Sequence, residues 1–147
     1  MHDNTRLDAA ILLARGAHAG QVDKVGMLYI LHPLRVMLKG KNISEMIVGV
    51  LHDVMEDTCM GLAEIIQLVE LTAKEAEALQ LLTHEKNVPY ADYVRNIKDS
   101  GNAIAINVKK YDVHDNASRA ARSKMDKDVR ERLLEKYSSA LNILGVE

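Results

Sequence analysis

Ile47, Val50, Leu51, Val54 and Met55 recur at the i, i+3, i+4, i+7, i+8 spacing of an amphipathic helix. At about 100° per residue, His52, Asp53 and Glu56 fall on the opposite face, with Gly49 beside them as a point of close approach. The same periodicity predicts helices along the rest of the chain. Leu7, Ala10, Ile11 and Ala14 mark a first helix, capped by Asn4 or Thr5 and ending near His18. A loop over 20–31 leads to Pro33, which is suited to open a second helix over 33–39. Ser44 is the expected N-cap of the helix that carries His52, with Glu45 near its N-terminal dipole. Leu62, Ile65, Ile66 and Val69 predict a short helix over 61–70, and Thr72 with Glu75 forms a capping-box pattern before Leu79 and Leu82. Pro89 opens a helix over 90–98 that Ser100-Gly101 closes, and Asn102 caps a longer one reaching about Ala120. Asp126 starts the last, through Val129, Leu133, Leu134, Tyr137, Leu141 and Ile143, with Gly145 beyond it. No period-2 strand and no internal repeat interrupts this series. The prediction is an all-α fold, one compact helical bundle of about eight helices over residues 1–147.

Composition sharpens that picture. There is no Phe or Trp and only five Tyr, so the core must be built from Leu, Ile, Val, Met and Ala, which suits packed helices better than a sheet. A net charge of -2 gives the whole molecule no electrostatic case for binding nucleic acid or an anionic membrane. The single Cys59 has no internal disulfide partner and fits a reducing compartment. No apolar run has the length of a membrane span, and the N-terminal MHDNTRLD lacks the order of a signal peptide, so a cytoplasmic protein is expected. The oligomeric state is not legible.

Four side chains have the character of metal ligands. His52 and Asp53 are neighbours on one helix, His32 sits at the start of the preceding one, and Asp112 lies on the Asn102 helix. There Ala105, Val108, Asp112, Asp115, Asn116 and Arg119 form one stripe at helical spacing. A carboxylate at the centre of such a stripe is half-buried and needs a cation or several donors. Two imidazoles and two carboxylates suit Mn²⁺, Fe²⁺ or Zn²⁺ and leave positions open for water or substrate, whereas a closed structural zinc site would use Cys. The alternative is a histidine packed before Pro33, a hydrogen-bonded core Asp112 and a solvated polar stripe around His52.

These residues carry a resemblance. His32, His52-Asp53 and a distant Asp112 resemble the H…HD…D signature of the HD-domain phosphohydrolases. The likeness is closer to the alarmone (ppGpp) hydrolase domains of the Rel/SpoT family and their small stand-alone versions. There a segment similar to HxGQxRKxGxPYIxHP precedes the second helix; here it reads HAGQVDKVGMLYILHP from His18 to Pro33. The family's HDxxED is present as His52, Asp53, Glu56 and Asp57, and its VKLADxxxN is partly kept as VKKYDVHDN from Val108 to Asn116.

The resemblance implies an HD-type bundle whose divalent ion, Mn²⁺ in the first place with Fe²⁺ or Zn²⁺ as alternatives, is held by His32, His52, Asp53 and Asp112. It implies that Glu56 and Asp57 orient water or manage its proton, a reading their unfavourable place at a helix C-terminus supports. It also implies that Lys24 and Asn116 contact a small-molecule nucleotide, from which a 3′-pyrophosphate is removed. Another nucleotide substrate (a nucleoside monophosphate or a phosphorylated dinucleotide cofactor) and a non-catalytic sensing domain are the other readings. Asp23 stands where the family usually has Arg, and Lys110-Tyr111 replaces its Leu-Ala. Asp23 therefore reverses a charge beside a polyanion, and substrate identity is expected to turn on it. Arg119, Arg122 and Lys124 read as a solvated basic face, and His18 as a packed or capping residue.

Overall fold

Ile47, Val48, Val50 and Leu51 are all fully buried, so helix α3 (Ile43–Leu51) is enclosed around most of its circumference. The computed structural model describes residues 2–146 and arranges the other helices about this one. They are α1 (Asp3–Ala17), α2 (Leu31–Lys39), α4 (Val54–Asp57), α5 (Leu62–Val69), α6 (Ala73–Leu82), α7 (Tyr90–Ser100), α8 (Ala103–Arg122) and α9 (Lys127–Leu144). Among the described residues there is no strand, only an isolated bridge between Val22 and Leu28 in the loop before α2. The predicted eight helices are all present. The ninth element, the single turn α4, was expected to belong to the helix before it.

That helix breaks at His52-Asp53. The His52 ring pairs Nδ1 with the Gly49 carbonyl at 2.6 Å, a group that a continuing helix would offer to the amide of residue 53. Asp53 then sits at φ -101°, ψ -3°, and α4 starts anew after it. Gly49 is a point of close approach, as expected, and what approaches it is α2. A Cβ there would stand 3.3 Å from the Met37 backbone. The polar residues that follow α3 consequently enter the interior rather than solvent.

Other expectations shift in detail. The N-cap of α3 is Asn42, whose side chain accepts the Glu45 amide, and not Ser44. Ser44 Oγ donates instead to Glu75 Oε2 at 2.7 Å. Neither Asn4 nor Thr5 caps α1, which begins at Asp3. Helix α2 starts at Leu31, so Pro33 lies within its first turn, where a missing N–H costs nothing. Asn102 caps α8, and Gly101 and Gly145 end α7 and α9 with left-handed φ of 69° and 88°.

The capping box of α6 forms in full. Thr72 Oγ1 accepts the Glu75 amide at 3.2 Å and Glu75 Oε1 accepts the Thr72 amide at 2.9 Å. Glu75 is completely buried and also pairs with Arg6 of α1, so one carboxylate ties α1, α3 and α6 together. Thr72→Ala removes one acceptor of this box and is expected to cost about 1 kcal/mol. Urea unfolding measures it; an unchanged midpoint would mean the cap contributes nothing.

Candidate metal centre and adjoining cleft

The broken helix turns His52 inward and brings it opposite His32 from the first turn of α2, their rings 5.2 Å apart and edge to face. Both imidazoles are buried. Asp112, from the middle of α8, reaches between them: its Oδ1 lies 2.9 Å from His32 Nε2 and 3.2 Å from His52 Nε2. Asp53 Oδ2 approaches the same two nitrogens at 3.7 and 3.2 Å. His32, His52 and Asp53 each offer a ligand atom within 4.8 Å of the others, a grouping able to hold a metal ion. All four residues line one small cavity of about 170 Å³.

The partners of the far ring nitrogens decide how well a cation fits. His32 Nδ1 lies 2.6 Å from Asp115 Oδ2, and His52 Nδ1 2.6 Å from the Gly49 carbonyl. Those acceptors favour the proton on Nδ1, which leaves both Nε2 lone pairs directed at two carboxylate oxygens. Four acceptors facing one another across a buried space are mutually repulsive without a positive charge among them. The donor set thus fits a divalent cation, with outer acceptors holding each imidazole in its ligating orientation. Asp115→Asn weakens that orientation and is expected to lower metal affinity by about 10- to 100-fold, read by titration calorimetry with Mn²⁺. Unchanged affinity would separate Asp115 from the site.

Electrostatics agree with that charge requirement. Burial would raise the Asp112 carboxyl, but the ammonium of Lys109 and the His52 ring hold it well below the usual carboxylate range. Burial opposes ionisation of Asp53 as well, yet His52 beside it lowers it to about 2. Burial pulls the His52 imidazole down, and the two carboxylates outweigh this and hold it well above the usual histidine value. Both carboxylates are anions at neutral pH, and the histidine is drawn toward a proton where no other cation sits.

Several lining residues were not singled out from the sequence. Lys109 is buried, donates to Asp112 Oδ2 at 2.8 Å, and lies 4.9 Å from the centre of the Tyr93 ring. The Tyr29 hydroxyl donates to Asp53 Oδ2. Burial, then Asp53, pushes that phenol far up, so it stays a neutral donor. Lys136, His84 and Tyr90 complete the wall. Tyr29 matches the Tyr of the quoted loop segment, and Asp115 lay on the α8 stripe; Lys136 and Tyr90 give no local sign. His84 stacks on Tyr93, their ring centres 4.4 Å apart.

The two expected acid/base residues part company. Glu56 lines the cavity, where its Oε1 accepts the His84 amide at 2.5 Å. Burial and then the Asp53 charge raise its carboxyl, against the His84 amide. Asp57 does not line the cavity; burial and Asp53 raise it too.

Lys24 and Asn116 fall on a second space, a cleft of about 330 Å³ between the 22–29 loop and helices α8 and α9. Its walls include Val22, Val25, Ala120, Leu133 and Tyr137, so it is mainly apolar. Tyr29 and Asn116 line both the cleft and the cavity of His32, His52, Asp53 and Asp112, so the two spaces are neighbours. Asn116 Nδ2 also donates to Asp112 Oδ1 at 3.2 Å. The basic side chains read as a solvated face, Arg119, Arg122 and Lys124, border a groove of about 970 Å³ together with Lys24 and Arg35. His18 is buried at the C-cap of α1, with Nδ1 2.8 Å from Gln21 Oε1.

Among solved structures the chain is similar to a metazoan ortholog of SpoT that hydrolyzes ppGpp and plays a role in starvation responses. The two superpose with a TM-score of 0.81 over 95% of this chain and 85% of that one, at 16% identity. They share a fold. By sequence, the chain matches no family profile, and no curated protein matches it at a significant level. Among the described residues no helix is long and apolar enough to cross a membrane.

Proposed function

We propose that this protein is a metal-dependent phosphohydrolase of nucleotide polyphosphates that removes the 3′-pyrophosphate from ppGpp or pppGpp. The observation that carries the reading is the convergence of two imidazole nitrogens and two carboxylate oxygens in a cavity that shares Tyr29 and Asn116 with a neighbouring apolar cleft. The likeness to a SpoT ortholog and the loop and HDxxED segments support the alarmone as substrate.

His32, His52, Asp53 and Asp112 would hold the ion, Mn²⁺ in the first place. A divalent cation there supplies Lewis-acid charge that acidifies water and draws electron density from a phosphoryl oxygen. Around it the chain's own groups divide the remaining work. The Glu56 carboxylate, anchored by the His84 amide, takes the proton of the attacking water. As the new P–O bond forms, the bond from phosphorus to the ribose 3′-oxygen breaks, and the proton passes to that oxygen. The Lys109 and Lys136 ammonium groups offset charge on the non-bridging oxygens, and Tyr29 fixes Asp53. Lys24 and Asn116 meet the nucleotide where cleft and cavity join.

Asp23, beside Lys24 in the loop, favours a second reading in which another nucleotide, such as a phosphorylated dinucleotide cofactor, is the substrate. A turnover screen of purified protein with Mn²⁺ against a nucleotide panel that includes ppGpp tests both. Release of pyrophosphate from ppGpp faster than from any other member is expected. Turnover of a different nucleotide alone would select the second reading, and no turnover with metal bound would sink both.

A further inference from the structure

Asp23 does not stand in the cleft as a free negative charge. Its Oδ1 accepts the Val25 and Met27 amides, both at 3.0 Å, and so closes the loop's own turn. Its Oδ2 faces Arg119 Nη1 at 3.5 Å, across 96 residues of sequence. The guanidinium has two further polar neighbours on α8. Nε lies 3.2 Å from Asp115 Oδ2, and Nη2 donates to Asn116 Oδ1. Two acceptors, Asp23 and Asn116, and the nearby Asp115 carboxylate thus hold one cation on the wall shared by the apolar cleft and the basic groove, with a quarter of its side chain exposed.

We propose that Arg119 is a specificity-determining residue of this site, presenting the flat face of its guanidinium to the heterocyclic base of a nucleotide in the apolar cleft, with Asp23 as its positioning residue. The inference rests on the nucleotide reading above and deepens it. A guanidinium is planar, weakly hydrated and stacks on aromatic rings. Here Asp23 and Asn116 hold its two Nη ends and the Asp115 carboxylate lies beside Nε, so the plane of the guanidinium is fixed on the cleft wall. Val22, Val25, Leu133 and Tyr137 supply apolar walls for a flat ring. Asn116 links the guanidinium to Asp112, one of the four residues proposed to hold the ion.

Titration calorimetry on the full chain with Mn²⁺ tests this with two probes: GDP, which carries a base, and inorganic pyrophosphate, which does not. Arg119→Ala is expected to weaken GDP by about five- to tenfold, the size of a cation–π contact, and to leave pyrophosphate within about twofold. Arg119→Lys should fail to restore GDP, because a point charge does not stack. Asp23→Asn keeps an acceptor for the two amides and loses the ion pair. It should weaken GDP by about two- to threefold, with no further loss when added to Arg119→Ala. Unchanged GDP binding in Arg119→Ala, full rescue by lysine, or equal weakening of pyrophosphate would overturn the proposal, the last two pointing to a phosphate contact. Wild-type protein that binds pyrophosphate but not GDP overturns this inference alone. Binding of neither overturns the hydrolase reading beneath it.

Discussion

Asp53→Ala is expected to lower Mn²⁺ affinity by more than about a hundredfold, since outer-shell partners alone are worth 10- to 100-fold and Asp53 is proposed as a direct ligand. Turnover should fall with it. Asp53 is the most informative of the four proposed ligands to remove. Its side chain is 15% exposed, and besides facing the imidazoles it accepts from the Tyr29 hydroxyl. Asp112→Ala would strand the buried Lys109 ammonium without its carboxylate, a folding defect of several kcal/mol that would mask the loss of metal. Calorimetry with Mn²⁺ and far-UV circular dichroism on the same preparation check the result. A folded Asp53→Ala protein that binds the ion as tightly as wild type would remove the metal centre from the account.

Glu56→Gln should reduce turnover by about two orders of magnitude while leaving Mn²⁺ bound, the loss expected for one acid/base group. The amide keeps an oxygen for the His84 N–H, so the local fold should be preserved. Asp57→Asn should cost much less, because Asp57 does not line the cavity that Glu56 borders. Steady-state kinetics at saturating Mn²⁺ separate the two. Equal losses would give Asp57 a direct part in proton transfer, and unchanged turnover in Glu56→Gln would make that carboxylate structural.

Local rules made much of this protein legible in its sequence. Helical periodicity located the helices, because apolar residues at 3.6-residue spacing can bury only one face. Thr72-Glu75, Asn102, Gly101 and Gly145 marked helix ends through hydrogen bonds and φ values that are set within a few residues. His32, His52-Asp53 and Asp112 stood out as unlike a solvated face, and the tertiary fold gathers them in one cavity. What periodicity could not express is the break at His52. A side chain takes the Gly49 carbonyl there, and the polar face around His52 turns into the interior. Nor could local spacing pair residues from distant helices. Lys109 offsets Asp112 beneath two tyrosine rings from α7, Asp115 orients His32 across 83 residues, and Asp23 clasps Arg119 across 96. The charge of Asp23, read alone, opposed a polyanionic ligand. Only the packing of the loop against α8 decides that this charge is matched, because screening depends on which groups lie within a few ångströms and chain order does not fix that.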